Sequence, residues 1–173
     1  MMGPRMTALM DDDFVVFLIG MRINKWWRPD LWLPAAMAMP RMVAELEADP
    51  DSGFLGWEGG GLSNPTLMVQ YWRSTEHLIR YARAKDREHF PAWSAFRKRL
   101  AATDACGVWH ETFEVKASAY ECVYGNMPAP FGLGKVGRLV PAHGALASAR
   151  HRLGAGDADR TDAAARTKLE KVG

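Results

Sequence analysis

Apolar and polar positions along this chain fall into runs whose period changes, and the changes mark its elements. Residues 14–23, Phe-Val-Val-Phe-Leu-Ile-Gly-Met-Arg-Ile, are apolar almost without a break. A strand that does not alternate is one buried on both faces, which predicts a central place in a sheet. After Asn24 and the loop Lys25-Trp26-Trp27-Arg28-Pro29, Met39, Met42, Val43 and Leu46 recur at helical spacing. They predict a helix over 33–48, opened by Pro34 and bent at Pro40.

Asp49-Pro50-Asp51-Ser52-Gly53 then reads as a turn, and residues 54–59 as a strand. A Gly59-Gly60-Gly61 and Ser63-Asn64-Pro65 connection leads to a second strand, residues 67–72, so the two form a hairpin. Ser74 or Thr75 is placed to cap a helix with Glu76 in its first turn, and Leu78, Tyr81 and Ala82 form its inward stripe. Pro91 suits the first turn of a further helix, in which Trp93, Phe96 and Leu100 share a face. Strands over 106–115 and 120–124 complete the order β-α-β-β-α-α-β-β.

Without the extra helix and the last strand, this order is the βαββαβ ferredoxin-like unit, an α+β fold with an antiparallel sheet and helices on one face. Trp109, Phe113, Phe17 and Ile19 carry more apolar area than one helical layer covers. A second subunit packed sheet against sheet is the expected cover, which makes a homodimeric α+β barrel. The domain is expected over residues 14–135. Residues 1–13 read as a flexible leader and 136–173 as a C-terminal extension. The last twenty or so residues, rich in Ala, Asp, Arg and Lys, are expected to be disordered.

At 173 residues the chain is long enough for one domain with a core, and its net charge of +2 is too small to call for a nucleic-acid partner. No apolar run approaches the roughly twenty residues needed to cross a bilayer, so a cytoplasmic protein without a membrane partner is expected. Cys106 and Cys122 are read as reduced and buried rather than bridged. Neither metal-ligand spacing nor a nucleophile elbow is present, and the Gly59–Gly61 run lacks the context of a phosphate loop.

The run from Tyr71 to Trp93 gathers a strand end, a helix, a helix break and a second helix start, and reads as a pocket wall. His89 sits at the break, where a side chain has room to turn inward. An imidazole titrates near neutrality, which suits a general base or a metal ligand; a capping role is its structural alternative. His110 and Glu111 are neighbours in a strand and point to opposite faces, so they form no dyad, and which of the two faces the pocket stays open. Arg22, near the end of a buried strand, is expected to pair with Glu58, Glu111 or Glu121, with substrate orientation as its functional alternative. Trp26, Trp27, Trp32, Trp72 and Trp93 lie at element ends and are expected around one volume. Trp72, Tyr81, Trp93, Phe17 and Tyr124 are the expected substrate-binding aromatics.

Residues 19–24, Ile-Gly-Met-Arg-Ile-Asn, with Ala38-Met39-Pro40-Arg41-Met42, Tyr71-Trp72-Arg73-Ser74, His89-Phe90-Pro91-Ala92-Trp93, the strand 108–113 and the stretch 121–128 resemble the fumagillin-pathway monooxygenase-like family. That family is similar to the antibiotic-biosynthesis monooxygenases of the dimeric α+β barrel superfamily, and the resemblance spans residues 14–135. It implies a homodimer whose pocket oxidises a small apolar molecule with oxygen and no nucleotide cofactor. It also implies Asn, Trp and Arg side chains near the reacting carbon, types that Asn24, Trp72 and Arg22 supply; with the histidines read from their context, the expected catalytic set is His89 or His110 as base and Asn24 and Arg22 polarising substrate or oxygen. A haem-binding branch of the superfamily is the alternative, with Asn24, Tyr81 and His89 in similar order and His89 as axial ligand, as in haem monooxygenases or aldoxime dehydratases. Tyr81 stands there in place of a helix Trp. A ligand carrier without catalysis is the third reading.

Overall fold

The computed structural model describes residues 4–59, 63–85, 87, 94 and 103–154. In chain order its elements are β1 (Met6–Leu9), β2 (Phe14–Ile23), α1 (Pro29–Ala48), β3 (Phe54–Gly59), β4 (Met68–Trp72), α2 (Thr75–Arg83), β5 (Cys106–Val115), α3 (Leu133–Val136), β6 (Arg138–Pro141), a 3-10 turn (Gly144–Leu146) and α4 (Ala149–Gly154). They divide into two units, Val15–Phe113 and the chain ends, Met1–Phe14 with Glu114–Gly173. No helix among the described residues is long and apolar enough to cross a membrane.

The first unit holds a sheet in the order β3-β4-β2-β5. β4 pairs antiparallel with both β2 and β3, and the connections run β2-α1-β3-β4-α2-β5, the ferredoxin-like α+β unit expected from the pattern. β2 is flanked on both sides, as its unbroken apolar run requires.

α1 is longer than its stripe indicated. Pro29 rather than Pro34 opens it, because a proline at the first helical position gives up an N–H that has no partner there anyway. Pro34 and Pro40 both lie inside the helix, each without the N–H that would bond one turn back. α2 has the expected cap: the Ser74 hydroxyl accepts from the His77 N–H, and its hydrogen bond to Glu76 holds that carboxyl below its usual range. Leu46 of α1 and Tyr81 of α2 meet Val15 and Trp72 in one buried cluster, and the Tyr81 hydroxyl donates to Glu45 Oε2 at 2.8 Å. Both helices therefore cover the same sheet face. A second cluster joins Met21, Ile23 and Cys106 to Trp32, Ala35 and Ala36, nearer the start of α1.

Ahead of the start of β4, side chains of the preceding segment continue its pairing with β2. Asn64 Oδ1 accepts from the Ile23 N–H at 2.9 Å and its Nδ2 donates to the Ile23 carbonyl at 3.0 Å. Thr66 bonds the Met21 backbone with both its N–H and its hydroxyl. Asn64, read as part of a simple turn, thus satisfies backbone groups that would otherwise be orphaned at the strand end.

The second unit pairs β1 with β6 antiparallel, Met6 opposite Pro141 and Leu9 opposite Arg138, over a cluster of Leu9, Val140 and Leu146. Residues 6–9, read as leader, are therefore a strand, and their partner lies in the stretch read as an extension. The strand expected over 120–124 reduces to one bridge between Met6 and Tyr124. Side chains do the rest: the Tyr120 hydroxyl donates to the Ala8 carbonyl at 3.0 Å, and Cys122 Sγ accepts from the Ala8 N–H. Arg152, only 6 % exposed, is clamped by Glu121 Oε2 and the Leu146 carbonyl, each at 2.8 Å. The helix expected from Pro91 and the tail after residue 154 lie outside the described residues.

Candidate active site

Strand alternation and two contacts determine which side chains of the sheet look toward the helices. Val15 belongs to the buried cluster under α1 and α2, so Phe17, two residues on, faces the same way. Its register partner Gln70 does too, as do Trp72 and Met68 on either side of Gln70. The rings of Phe17 and His110 lie 5.4 Å apart at 36°, which brings His110 onto this helix-facing side and sends Trp109, Glu111 and Phe113 to the other. Trp109 does sit on the opposite face: a Cβ on Gly20 would fall 2.6 Å from its Nε1. Phe17 and Ile19 accordingly point at the helices and do not share a surface with Trp109 and Phe113. The Trp109 indole N–H is buried and has no acceptor.

One polar side chain is buried in the middle of the helix-facing side. Gln70 is 4 % exposed, and its Oε1 accepts from Trp72 Nε1 at 3.1 Å. Among the described residues its amide N–H groups meet only thioether sulfurs, Met68 Sδ at 3.5 Å and Met39 Sδ at 4.0 Å. Sulfur is a weak acceptor, so this buried donor is poorly satisfied. Met39 comes from α1, Met68 and Gln70 from β4 and Phe17 from β2, with His110 from β5 at the margin.

The remaining candidates are distributed differently. Trp72 is 1 % exposed, its ring packed edge-on to Phe54 and tilted against Tyr81 at 6.0 Å; it is core, and its contribution to the site is to orient Gln70. Tyr81 shares that cluster. Asn24 lies past the end of β2, exposed, its amide donating to the Asp104 carbonyl at 2.9 Å. Arg22 alternates onto the face opposite Phe17 and is exposed, so the burial that was expected to demand an ion partner does not arise. Tyr124 belongs to the other unit, where its hydroxyl accepts from the Gly134 N–H at 3.0 Å. His89 and Trp93 lie outside the described residues. Of the five tryptophans expected around one volume, the four described are dispersed: Trp32 packs in the cluster near the start of α1, Trp26 stacks edge-on to it at 5.6 Å, Trp27 is 72 % exposed, and Trp72 belongs to the cluster at the far end of α1.

Chemically, the helix-facing side offers an imidazole, a directed amide donor and polarizable apolar walls. Cys106 adds no nucleophile, because burial pushes its thiol pKa up and keeps it protonated. Among the described residues, no three His, Cys, Asp or Glu side chains are grouped as metal ligands. Gln70 escaped the sequence reading, though a signal was present: a lone amide at an inward position of the apolar strand Leu67-Met68-Val69-Gln70-Tyr71-Trp72.

Among solved structures, SnoaB, a cofactor-independent oxygenase from Streptomyces nogalater, is 15% identical, with 58% of this chain and 91% of that chain covered at a TM-score of 0.42. A dimeric protein of unknown function and ferredoxin-like fold from Bacteroides fragilis NCTC 9343 is 17% identical, with 58% and 96% covered and a TM-score of 0.38. A conserved protein from Methanosarcina mazei Go1 is 12% identical, with 60% and 94% covered and a TM-score of 0.42. No curated protein matches. The family model described as Monooxygenase af470-like matches residues 14–133, the span from the start of β2 to the start of α3 and more than half of the chain; the chain belongs to that family.

Proposed function

We propose that this protein is a monooxygenase that oxidises a small apolar molecule with oxygen and without a nucleotide cofactor, using His110 as general base. The observation that carries the proposal is the contact of the His110 imidazole with Phe17, on the sheet side that also holds Gln70. In this reading the substrate lies against Phe17, Met39 and Met68. His110 takes a proton from an acidic C–H or O–H of the substrate; the carbon of the resulting electron-rich anion bonds to O2 as a peroxide, and cleavage of the O–O bond leaves one oxygen on that carbon as a carbonyl while the other departs as water with the two substrate hydrogens. An exposed imidazole retains contact with water, to which it returns the proton.

Family membership supports the reaction class, and the thioether and phenyl walls support an apolar substrate. Asn24, exposed past the end of β2, is left the role of orienting whatever part of the substrate reaches solvent, while Arg22, on the sheet face opposite Phe17, takes no part in this reading. The homodimer belongs to the same proposal: the sheet face opposite the helices carries Val16, Leu18, Trp109 and Phe113, with the unpaired Trp109 N–H among them. The haem reading rests on His89, outside the described residues.

Oxygen uptake tests the base. Once an oxidised compound is found in a panel of apolar phenols and activated ketones, His110→Ala is expected to lower kcat by about 100- to 10,000-fold. Full turnover by His110→Ala would remove the base assignment. Activity that appears only after haemin is added would replace the reading by the haem one.

A further inference from the structure

We infer that Gln70 is the ligand-anchoring donor of this site, and that it selects molecules carrying a carbonyl or phenol oxygen about 10 Å from the atom that His110 deprotonates. The inference rests on the reading of the helix-facing side as the substrate site. It adds a specificity determinant and a constraint on substrate shape.

Three features carry it. The orientation of the amide is determined chemically: an indole N–H only donates, so Trp72 Nε1 at 3.1 Å must face the carbonyl oxygen of Gln70, and the NH2 end is turned away from it. That NH2 end is enclosed, since the residue is 4 % exposed. Its neighbours are Met68 Sδ at 3.5 Å and Met39 Sδ at 4.0 Å, acceptors too weak to replace the water the amide gave up on folding. A fully structural glutamine would bond a backbone carbonyl or a carboxylate. A donor held in one direction among unbranched, adaptable methionines is instead ready for an oxygen brought in by a ligand.

The spacing follows from the sheet. Gln70 is the register partner of Phe17, and the Phe17 ring contacts His110 on the next strand. Two interstrand steps of about 4.8 Å separate the anchor from the base. The ligand class that fits is flat and apolar, with its acceptor oxygen at one end, its acidic position at the other and Phe17 beneath the middle.

The test compares two isosteric probes by equilibrium dialysis against the full chain: 2-acetylnaphthalene, which carries an acceptor oxygen, and 2-isopropenylnaphthalene, which carries a methylene in its place. The wild type is expected to bind the ketone about tenfold more tightly, the worth of one good buried hydrogen bond. Gln70→Met, which keeps length and removes the donor, is expected to bind both probes equally and to retain the affinity for the alkene. Trp72→Phe, which frees the amide to flip, is expected to reduce the preference without removing it. Equal binding of the two probes by the wild type, or a preference that survives Gln70→Met, overturns the anchor and leaves the base assignment standing. Failure of the wild type to bind either probe overturns the substrate site itself, and the anchor with it. The wild-type comparison decides even if Gln70→Met does not fold.

Discussion

Trp72 Nε1 donates to Gln70 Oε1 across 3.1 Å between side chains two residues apart on one strand, and neither group reaches water. Residues i and i+2 of a strand share a face, so a Trp can orient an amide in this way without help from any other element. Trp72→Phe is expected to destabilise the protein by about 1–3 kcal/mol, chiefly by leaving a buried carbonyl oxygen without a donor. Chemical denaturation measures it. An unchanged midpoint would mean that the amide finds another donor, and Trp72 would lose its role as orienter.

Gly20 lies on the opposite sheet face, where a Cβ would meet the Thr66 carbonyl and come within 2.6 Å of Trp109 Nε1. A backbone carbonyl in a strand connection cannot withdraw as a side-chain tip can. Gly20→Ala is therefore expected to cost at least about 3 kcal/mol, the upper range for overpacking. Thermal melting of the purified variant checks this, and a melting temperature within a degree or two of wild type would refute it.

In the second unit, Glu121 is the carboxylate facing Arg152, which is buried in an end of the chain that reads as a polar extension. Glu121 keeps 30 % of its side-chain surface in water, so removing it strands the buried Arg152 charge only in part, at a cost of about 1–3 kcal/mol. Glu121→Ala is expected to lose that much stability in a urea titration. Glu121→Gln keeps an acceptor for the Arg152 guanidinium and should lose clearly less; equal losses would count against charge burial as the cause.

Asp49 caps the end of α1, where the Asp51 N–H and the Arg87 guanidinium hold its carboxyl below the usual aspartate range. A carboxyl lowered in the folded state stabilises the fold above its unfolded value, about pH 4, and loses that contribution as the pH falls through the folded value. Asp49→Asn is therefore expected to melt below wild type near pH 6, with the gap closing as the pH falls below about 4. A gap that is constant with pH would show that ionisation of Asp49 plays no part.

Much of the first unit was legible along the chain because its signals are local. The unbroken apolar run of residues 14–23 encodes a strand with neighbours on both sides, the Leu78 and Tyr81 spacing encodes a helix with one inward stripe, and Ser74 satisfies an orphan N–H within its own turn. The order of these elements then leaves few topologies, and the ferredoxin-like one is what forms. The start of α1 was misplaced because Pro29 and Pro34 both suit a helix opening, and only packing decides between them.

What the amino-acid order determined by itself, then, was the type of the described elements of the first unit, the alternation of side chains along its strands, and the family. Tertiary structure alone decided which faces meet. The four residues of β1 carry no periodicity long enough to read, and their partner β6 lies at the far end of the chain, so their pairing depends on loop closure and nonlocal burial rather than on any local preference. The site follows the same division. Alternation separates His110 from Glu111, but only the Phe17 ring shows which of them faces the helices. A glutamine in an apolar strand is visible to inspection; that its donors meet, among the described residues, nothing better than two thioethers is a property of Met39 on another element, which no spacing in the sequence expresses.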